Sequence, residues 1–180
     1  MTAVNVVPTP NPDALMFRVS ETLVPAGTYE YASPDKAGDA PLAQQLLGLS
    51  GIELILIAPK FVTVRKQGDA DWSTLQAEVT ATLETFLDSG EMAVFEASGT
   101  TGKELTDVER RIVELIDEEI RPAVAQDGGD ITFESFENGL VIVRMSGACG
   151  SCPSSTLTLK AGVERLLKEE IPEVLAVEAL

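Results

Sequence analysis

The chain has 180 residues and a mass of 19.2 kDa, with 44% hydrophobic and 23% charged residues. This is room for one ordinary domain or two small ones, with a globular balance. It contains no histidine, which excludes Ser-His-Asp and Cys-His catalysis and histidine-ligated zinc or haem. With 13 basic and 29 acidic residues the formal charge is −16, which argues against nucleic acid and anionic membrane surfaces as partners.

The first half reads as mixed α and β. Pro8, Pro10 and Pro12 make an extended, turn-rich opening. A strand is predicted over Ala14–Val19, broken by Pro25-Ala26-Gly27, with a return over Thr28–Tyr31. Pro41 suits the first residue of a short helix through Leu47. Ile52–Ile57 and Phe61–Lys66 are β-rich runs separated by Ala58-Pro59-Lys60. Asp71 can cap a helix from Trp72 to Ser89 that Gly90 stops. Its apolar positions Leu75, Val79, Leu83, Phe86 and Leu87 fall at helical spacing. Glu91–Glu96 is expected as a last short strand. Each of these features has a structural explanation, and Trp72 reads as a packing residue at the helix start.

Ala97-Ser98-Gly99-Thr100-Thr101-Gly102 is small, polar and glycine-containing, and reads as a linker. The expected organisation is a domain over residues 1–97, a flexible linker over 98–102 and a second domain over 103–180. Both sides are acidic, so the charge is general solvation and not a tail.

In the second half Thr106 and Glu109 form a capping-box pattern ahead of Val108, Ile112, Leu115, Ile116 and Ile120. Pro122 is expected to kink or end that helix. Asp127-Gly128-Gly129-Asp130 reads as a turn, its two glycines making this far more natural than a paired-carboxylate site. Ile131–Glu137 and Leu140–Met145 read as strands joined by Asn138-Gly139, a strong hairpin signal. By strict alternation neither face of this hairpin is cleanly polar. One carries Ile131, Phe133, Leu140 and Ile142, and the other carries Phe136, Val141, Val143 and Met145. Either both faces are partly covered, or a partner or the first domain covers the second face. A helix starting at Pro153 is expected to bury Leu157, Val163, Leu166 and Leu167 and to end before Pro172. Val174–Ala179 alternates like a strand. The fold class is therefore α+β, two small domains, the C-terminal one α-β-β-α-β. Its three-stranded sheet is mixed, because a right-handed crossover sets the last strand parallel to a hairpin strand, and its helices lie on one face.

No apolar run approaches the roughly 20 residues that span a bilayer. The first basic residue is Arg18, and neither a secretory nor a mitochondrial leader pattern precedes it. The chain as given reads as cytoplasmic.

The two cysteines, Cys149 and Cys152, stand as C-x-x-C in Gly147-Ala148-Cys149-Gly150-Ser151-Cys152-Pro153-Ser154-Ser155, between a strand end and a helix start. A helix N-terminus favours thiolates, whether as nucleophiles or as metal ligands. Gly147 and Gly150 let the backbone curl and could offer N–H groups to sulfur. Iron–sulfur and tetrahedral zinc sites usually take four ligands. With no third cysteine and no histidine, two protomers each giving Cys149 and Cys152 would complete such a site on a two-fold axis. A dithiol–disulfide oxidoreductase also places C-x-x-C at a helix start after a strand, although the larger sheet expected around it is not visible. A structural zinc clasp uses the same four thiolates. A structural disulfide would close too small a loop to stabilise much.

The stretches Ile120-Arg121-Pro122-Ala123-Val124, Asp127-Gly128-Gly129-Asp130-Ile131, Gly147 through Lys160 and Ile171-Pro172-Glu173-Val174 resemble the C-terminal domain of the Nfu/NifU family of iron–sulfur cluster scaffold proteins. Thr9-Pro10-Asn11-Pro12-Asp13-Ala14-Leu15, Phe61-Val62-Thr63-Val64 and Asp71-Trp72 are similar to that family's N-terminal domain. The resemblance implies a non-enzymatic carrier that holds a [4Fe-4S] cluster across a homodimer through Cys149 and Cys152, with [2Fe-2S] as a smaller cargo for the same ligands. It implies an upstream assembly scaffold as donor and apo iron–sulfur proteins as recipients. For the cysteine-free N-terminal half it implies partner contact or communication between domains.

Overall fold

The computed structural model describes residues 3–25, 27–95, 104–150 and 153–180. The chain divides into two compact units, Met1–Ser98 and Gly99–Leu180. The linker expected over 98–102 lies outside the described residues.

The first unit is a five-stranded antiparallel sheet of β1 (Val4–Pro8), β2 (Ala14–Val19), β3 (Tyr29–Tyr31), β4 (Ile52–Ile57) and β5 (Phe61–Lys66), in the order β1-β2-β5-β4-β3. Helix α1 (Pro41–Leu47) and helix α2 (Trp72–Ser89) accompany it. Leu42 and Leu46 of α1 and Leu75, Val79, Leu83 and Phe86 of α2 join Phe17, Ile55, Ile57, Val62 and Val64 of the sheet in one core. The Asp71 side chain accepts the Ser73 N–H at 2.8 Å, and Gly90 closes α2 at its other end.

The turn-rich opening contains a strand that proline density concealed. β1 is an edge strand, and Pro8 stands at its last position, where a missing N–H costs the ladder little. The following turn is tied down by its own side chains. Thr9 Oγ1 donates to the carbonyls of Asn11 and Ala14, and Asn11 Oδ1 accepts the Asp13 N–H. Lys66 Nζ reaches Asp13 Oδ1 at 2.8 Å, and Trp72 Nε1 donates to the Pro12 carbonyl at 3.2 Å. The strand expected over Glu91–Glu96 does not form along its described part, Glu91–Phe95. Ala93 and Val94 are buried, and the Phe95 N–H bonds to the Asp39 carbonyl in a loop contact instead of a ladder.

The second unit begins with α3 (Asp107–Leu115), whose capping box forms as expected. Thr106 Oγ1 accepts the Glu109 N–H, and the Glu109 carboxylate accepts the Thr106 N–H at 2.7 Å. The break at Pro122 takes the form of a π-turn, Ile116–Ile120, in which the Arg121 N–H bonds to the Ile116 carbonyl five residues back. This widening relieves the clash that a proline imposes on the preceding turn, and α4 (Arg121–Gln126) continues beyond it. Strands β6 (Gly129–Glu137) and β7 (Leu140–Gly147) form the hairpin, with Asn138 at φ 52° and Gly139 at φ 83°, the two left-handed positions of a type I′ turn. Helix α5 (Pro153–Glu170) crosses over to β8 (Ala176–Ala179), which pairs parallel with β7. The α+β class, the two units, the mixed order β6-β7-β8 and the helices on one face are as the pattern predicts.

In the second unit two expectations fail for identifiable reasons. A β-bulge between Phe133 and Ser135 shifts the hairpin register, so that Phe133 faces Val143 and Ile131 faces Met145. One extra residue moves every side chain beyond it to the other face. Ile131 and Phe133 therefore join Phe136, Val141, Val143 and Met145 on a single core face. The opposite face carries Thr132 against Arg144 and Ile142 against Glu178, with an Arg144–Glu134 ion pair at 2.7 Å. There is no second fully apolar face to cover. Leu157 is 69% exposed, because it lies six residues before Val163 and so points away from the helix face that buries Val163 and Leu167.

Candidate functional site

The thiol loop is positioned by four elements of the second unit. β7 ends at Gly147, which has φ 69°, a left-handed backbone that lets the chain turn off the sheet. Gly147 pairs with Gly129, the first residue of β6, and the Ala148 N–H bonds to the Gly128 carbonyl at 3.3 Å. The loop is thereby held against the Asp127–Asp130 segment. Thr156, in the first turns of α5, donates its hydroxyl to the Cys149 carbonyl at 2.8 Å. The Gly150 N–H goes to the Gly147 carbonyl at 3.3 Å, so it serves the loop's own turn and not a sulfur. A Cβ at Gly150 would stand 2.8 Å from the Met145 carbonyl oxygen, so that position is closed to larger residues without movement.

Cys149 is 1% exposed and belongs to the core of its unit, with Ile112, Ile116, Ile131, Met145, Val163 and Leu167. Cys152, the second expected ligand, lies outside the described residues, as does Ser151. Among the described residues no group of three or more cysteine, aspartate or glutamate side chains converges as a metal cage.

The Asp127-Gly128-Gly129-Asp130 turn has a role that sequence reasoning did not assign. Only Asp127 and Gly128 form the turn, while Gly129 and Asp130 already belong to β6. Asp130 is buried, and Arg121 reaches it from α4 with Nε 3.1 Å from Oδ1, an ion pair at an angle unsuited to a hydrogen bond. The same guanidinium stands 2.8 Å from Asp117 Oδ1 and donates to the Ile131 carbonyl at 3.1 Å. Arg121 thus staples the π-turn and α4 to the strand start that abuts the cysteine loop. The available signal was a pair of adjacent glycines at a strand start, which marks close backbone approach. What they approach is set by non-local pairing.

These features define a two-unit α+β protein with a strand–loop–helix thiol site in its second unit. The family model described as scaffold protein Nfu/NifU N terminal matches residues 4–90, and the NifU-like domain matches residues 112–178. The human protein named NFU1 iron-sulfur cluster scaffold homolog, mitochondrial, is 40% identical over 174 residues, covering 94% of this chain and 68% of that protein. The Drosophila persimilis protein of the same name is 42% identical over 175 residues, covering 94% of this chain and 62% of that protein. A solution NMR structure of a NifU-like protein from Saccharomyces cerevisiae aligns at 24% identity and a TM-score of 0.48, over 52% of this chain and 85% of that one. The chain belongs to the Nfu/NifU family of scaffold proteins. It spans 62% to 68% of the length of these two curated relatives. No described helix is long and apolar enough to cross a membrane.

Proposed function

We propose that this chain is a non-enzymatic carrier of an iron–sulfur cluster. The domain over residues 103–180 holds the cluster through Cys149 and Cys152. The domain over 1–97, which contains no cysteine, makes partner contacts, and residues 98–102 link the two. Two chains supply two thiolates each, completing the four that a [4Fe-4S] cluster usually takes, with [2Fe-2S] as the smaller alternative cargo. A cluster shared across a two-fold axis is more open to an incoming ligand than one in a single-chain cage, which suits handing it on. The donor is an upstream assembly scaffold and the recipients are apo iron–sulfur proteins. The relatives' names support the scaffold role.

The observation that carries this reading is the placement of Cys149. It sits where β7 gives way to α5, with its carbonyl tied to Thr156 and its loop tied to Gly128. That arrangement holds the backbone of a ligand fixed at the end of an 18-residue helix. A reducing compartment keeps such thiols available. We take the cytoplasm as that compartment, to be checked by fractionation, because the two relatives are named mitochondrial.

Anaerobic reconstitution with ferrous iron and sulfide, followed by size exclusion with in-line mass and metal assays, tests the proposal. About four irons and four sulfides per dimer, eluting at dimer mass, support it. A monomer that takes up no iron but cycles a disulfide makes Cys149 and Cys152 a redox pair and overturns it.

A further inference from the structure

The Cys149 side chain is buried within its own chain. At 1% exposure it is one of the core residues of its unit, whereas a cluster held jointly with a second chain needs its sulfur at the surface. The backbone around it is held on both sides, by Ala148 N–H to Gly128 O and by Thr156 Oγ1 to Cys149 O. With the backbone fixed, the inexpensive movement left is rotation about the Cα–Cβ bond from one staggered position to another.

The room for the buried position comes from one residue. An ideal Cβ on Gly129 would stand 2.6 Å from Cys149 Sγ, 2.9 Å from Cys149 Cβ and 3.0 Å from the Ser146 carbonyl oxygen. Gly129 is not among the glycines with positive φ, as Gly128 and Gly147 are. Its backbone is one that any residue could adopt, and what the position demands is the absence of a side chain. The atom nearest the missing Cβ is the sulfur itself.

We infer that Gly129 is a positioning residue for the Cys149 ligand: its missing side chain is the berth in which the cluster-free chain stows the thiol, and the sulfur must leave that berth to receive the cluster. This rests on the reading of Cys149 as a cluster ligand. The stowed thiol is shielded from oxidants while the carrier is empty, and the return to the berth favours release of the cargo. Uptake and release are then governed by one rotation and the contact between residues 129 and 149.

The test uses the full, cluster-free chain at one neutral pH, treated with N-ethylmaleimide under native conditions. Modification at Cys149 is followed by peptide mass spectrometry. Gly129→Ala removes the berth and also crowds Cys149 Cβ and the Ser146 carbonyl, so the backbone there must give slightly as the thiol leaves. Cys149 is expected to react about tenfold faster or more, as when a state holding roughly nine-tenths of the population is removed. Val163→Ala, a core truncation in the same unit, controls for general loosening. Equal rates in wild type and Gly129→Ala, or an equal gain in Val163→Ala, overturn the inference. The wild-type chain supplies a check that needs no variant: a native Cys149 that reacts as fast as in urea is not stowed, and the inference falls.

The second readout is the initial rate at which anaerobic chain takes up cluster from ferrous iron and sulfide. A merely structural glycine predicts slower loading in Gly129→Ala, whereas a berth predicts faster loading and tighter retention against a chelator. Loading in both chains with no gain in rate overturns this inference and leaves the carrier reading intact. Loading in neither chain overturns the carrier reading and, with it, the role assigned to the berth.

Discussion

Arg121 and Asp130, nine residues apart in sequence, form an ion pair at 3.1 Å in which the carboxylate is buried and the guanidinium is partly exposed. The pair joins the helical segment after the π-turn to the first residues of β6. Arg121→Met removes the cation and keeps much of the aliphatic stem. The expected cost is about 1–3 kcal/mol, the range for stranding a buried polar group, read as faster amide exchange across β6 and β7. Trp72, the chain's one tryptophan, lies in the first unit and reports on that unit separately. Unchanged exchange along β6 would show that the pair is ornamental to stability.

Cys149→Ser and Cys152→Ser are each expected to abolish retention of iron and sulfide after anaerobic reconstitution. A loop at a helix start by itself predicts no cost to the fold, but Cys149 lies in the core of its unit. A serine hydroxyl among Ile131, Met145 and Leu167 is expected to lower stability by about 1–3 kcal/mol, measurable by urea titration. A double-serine variant that keeps stoichiometric iron and sulfide would remove both residues from the site.

Thr156→Val deletes the hydroxyl that holds the Cys149 carbonyl and keeps the side-chain volume. The expected loss is about 1 kcal/mol, with faster amide exchange confined to the loop and the first turns of α5. An exchange pattern indistinguishable from wild type would mean that the loop holds its path without this bond.

Acid should weaken the seam between α5 and β8. The Lys168 ammonium and the Val177 backbone N–H hold the Glu164 carboxyl below its ordinary range, in that order of importance. A carboxylate whose folded pKa is lowered contributes stability above its unfolded pKa, and loses it as the pH falls through the folded value. Glu164→Gln is therefore expected to lower Tm at neutral pH, with the difference from wild type shrinking below the ordinary glutamate range and vanishing once both states are protonated. A difference that stays constant from neutral to strongly acidic pH would assign the effect to shape instead of charge.

Local signals stand plainly in this sequence and non-local ones do not. The Asp71 cap, the Trp72–Ser89 helix and the Asn138-Gly139 turn depend on side chains next to the backbone they organise, and each stands where the pattern puts it. The bulge beside Glu134 leaves no comparable mark, because it is decided by which residues of β7 and the helices need apolar partners. β1 was hidden because its pairing partner, β2, is what makes the extended segment a strand. At the site, the C-x-x-C spacing and the helix start were legible. The contact between Gly129 and the Cys149 sulfur required two strands to be brought into register across a hairpin.

The crossover that makes β8 parallel to β7 also fixes an order of events at the ribosome. The loop bearing Cys149 emerges before α5, and α5 before β8, so Val163, Leu167 and Val177, which share the core with that cysteine, arrive after it. The nascent thiol has no completed core until the crossover helix and the strand beyond it have followed. The first unit, whose sheet closes within its own residues, can be folded by then. A chain cut short before Val163 therefore carries Cys149 without the α5 and β8 side chains that complete its core.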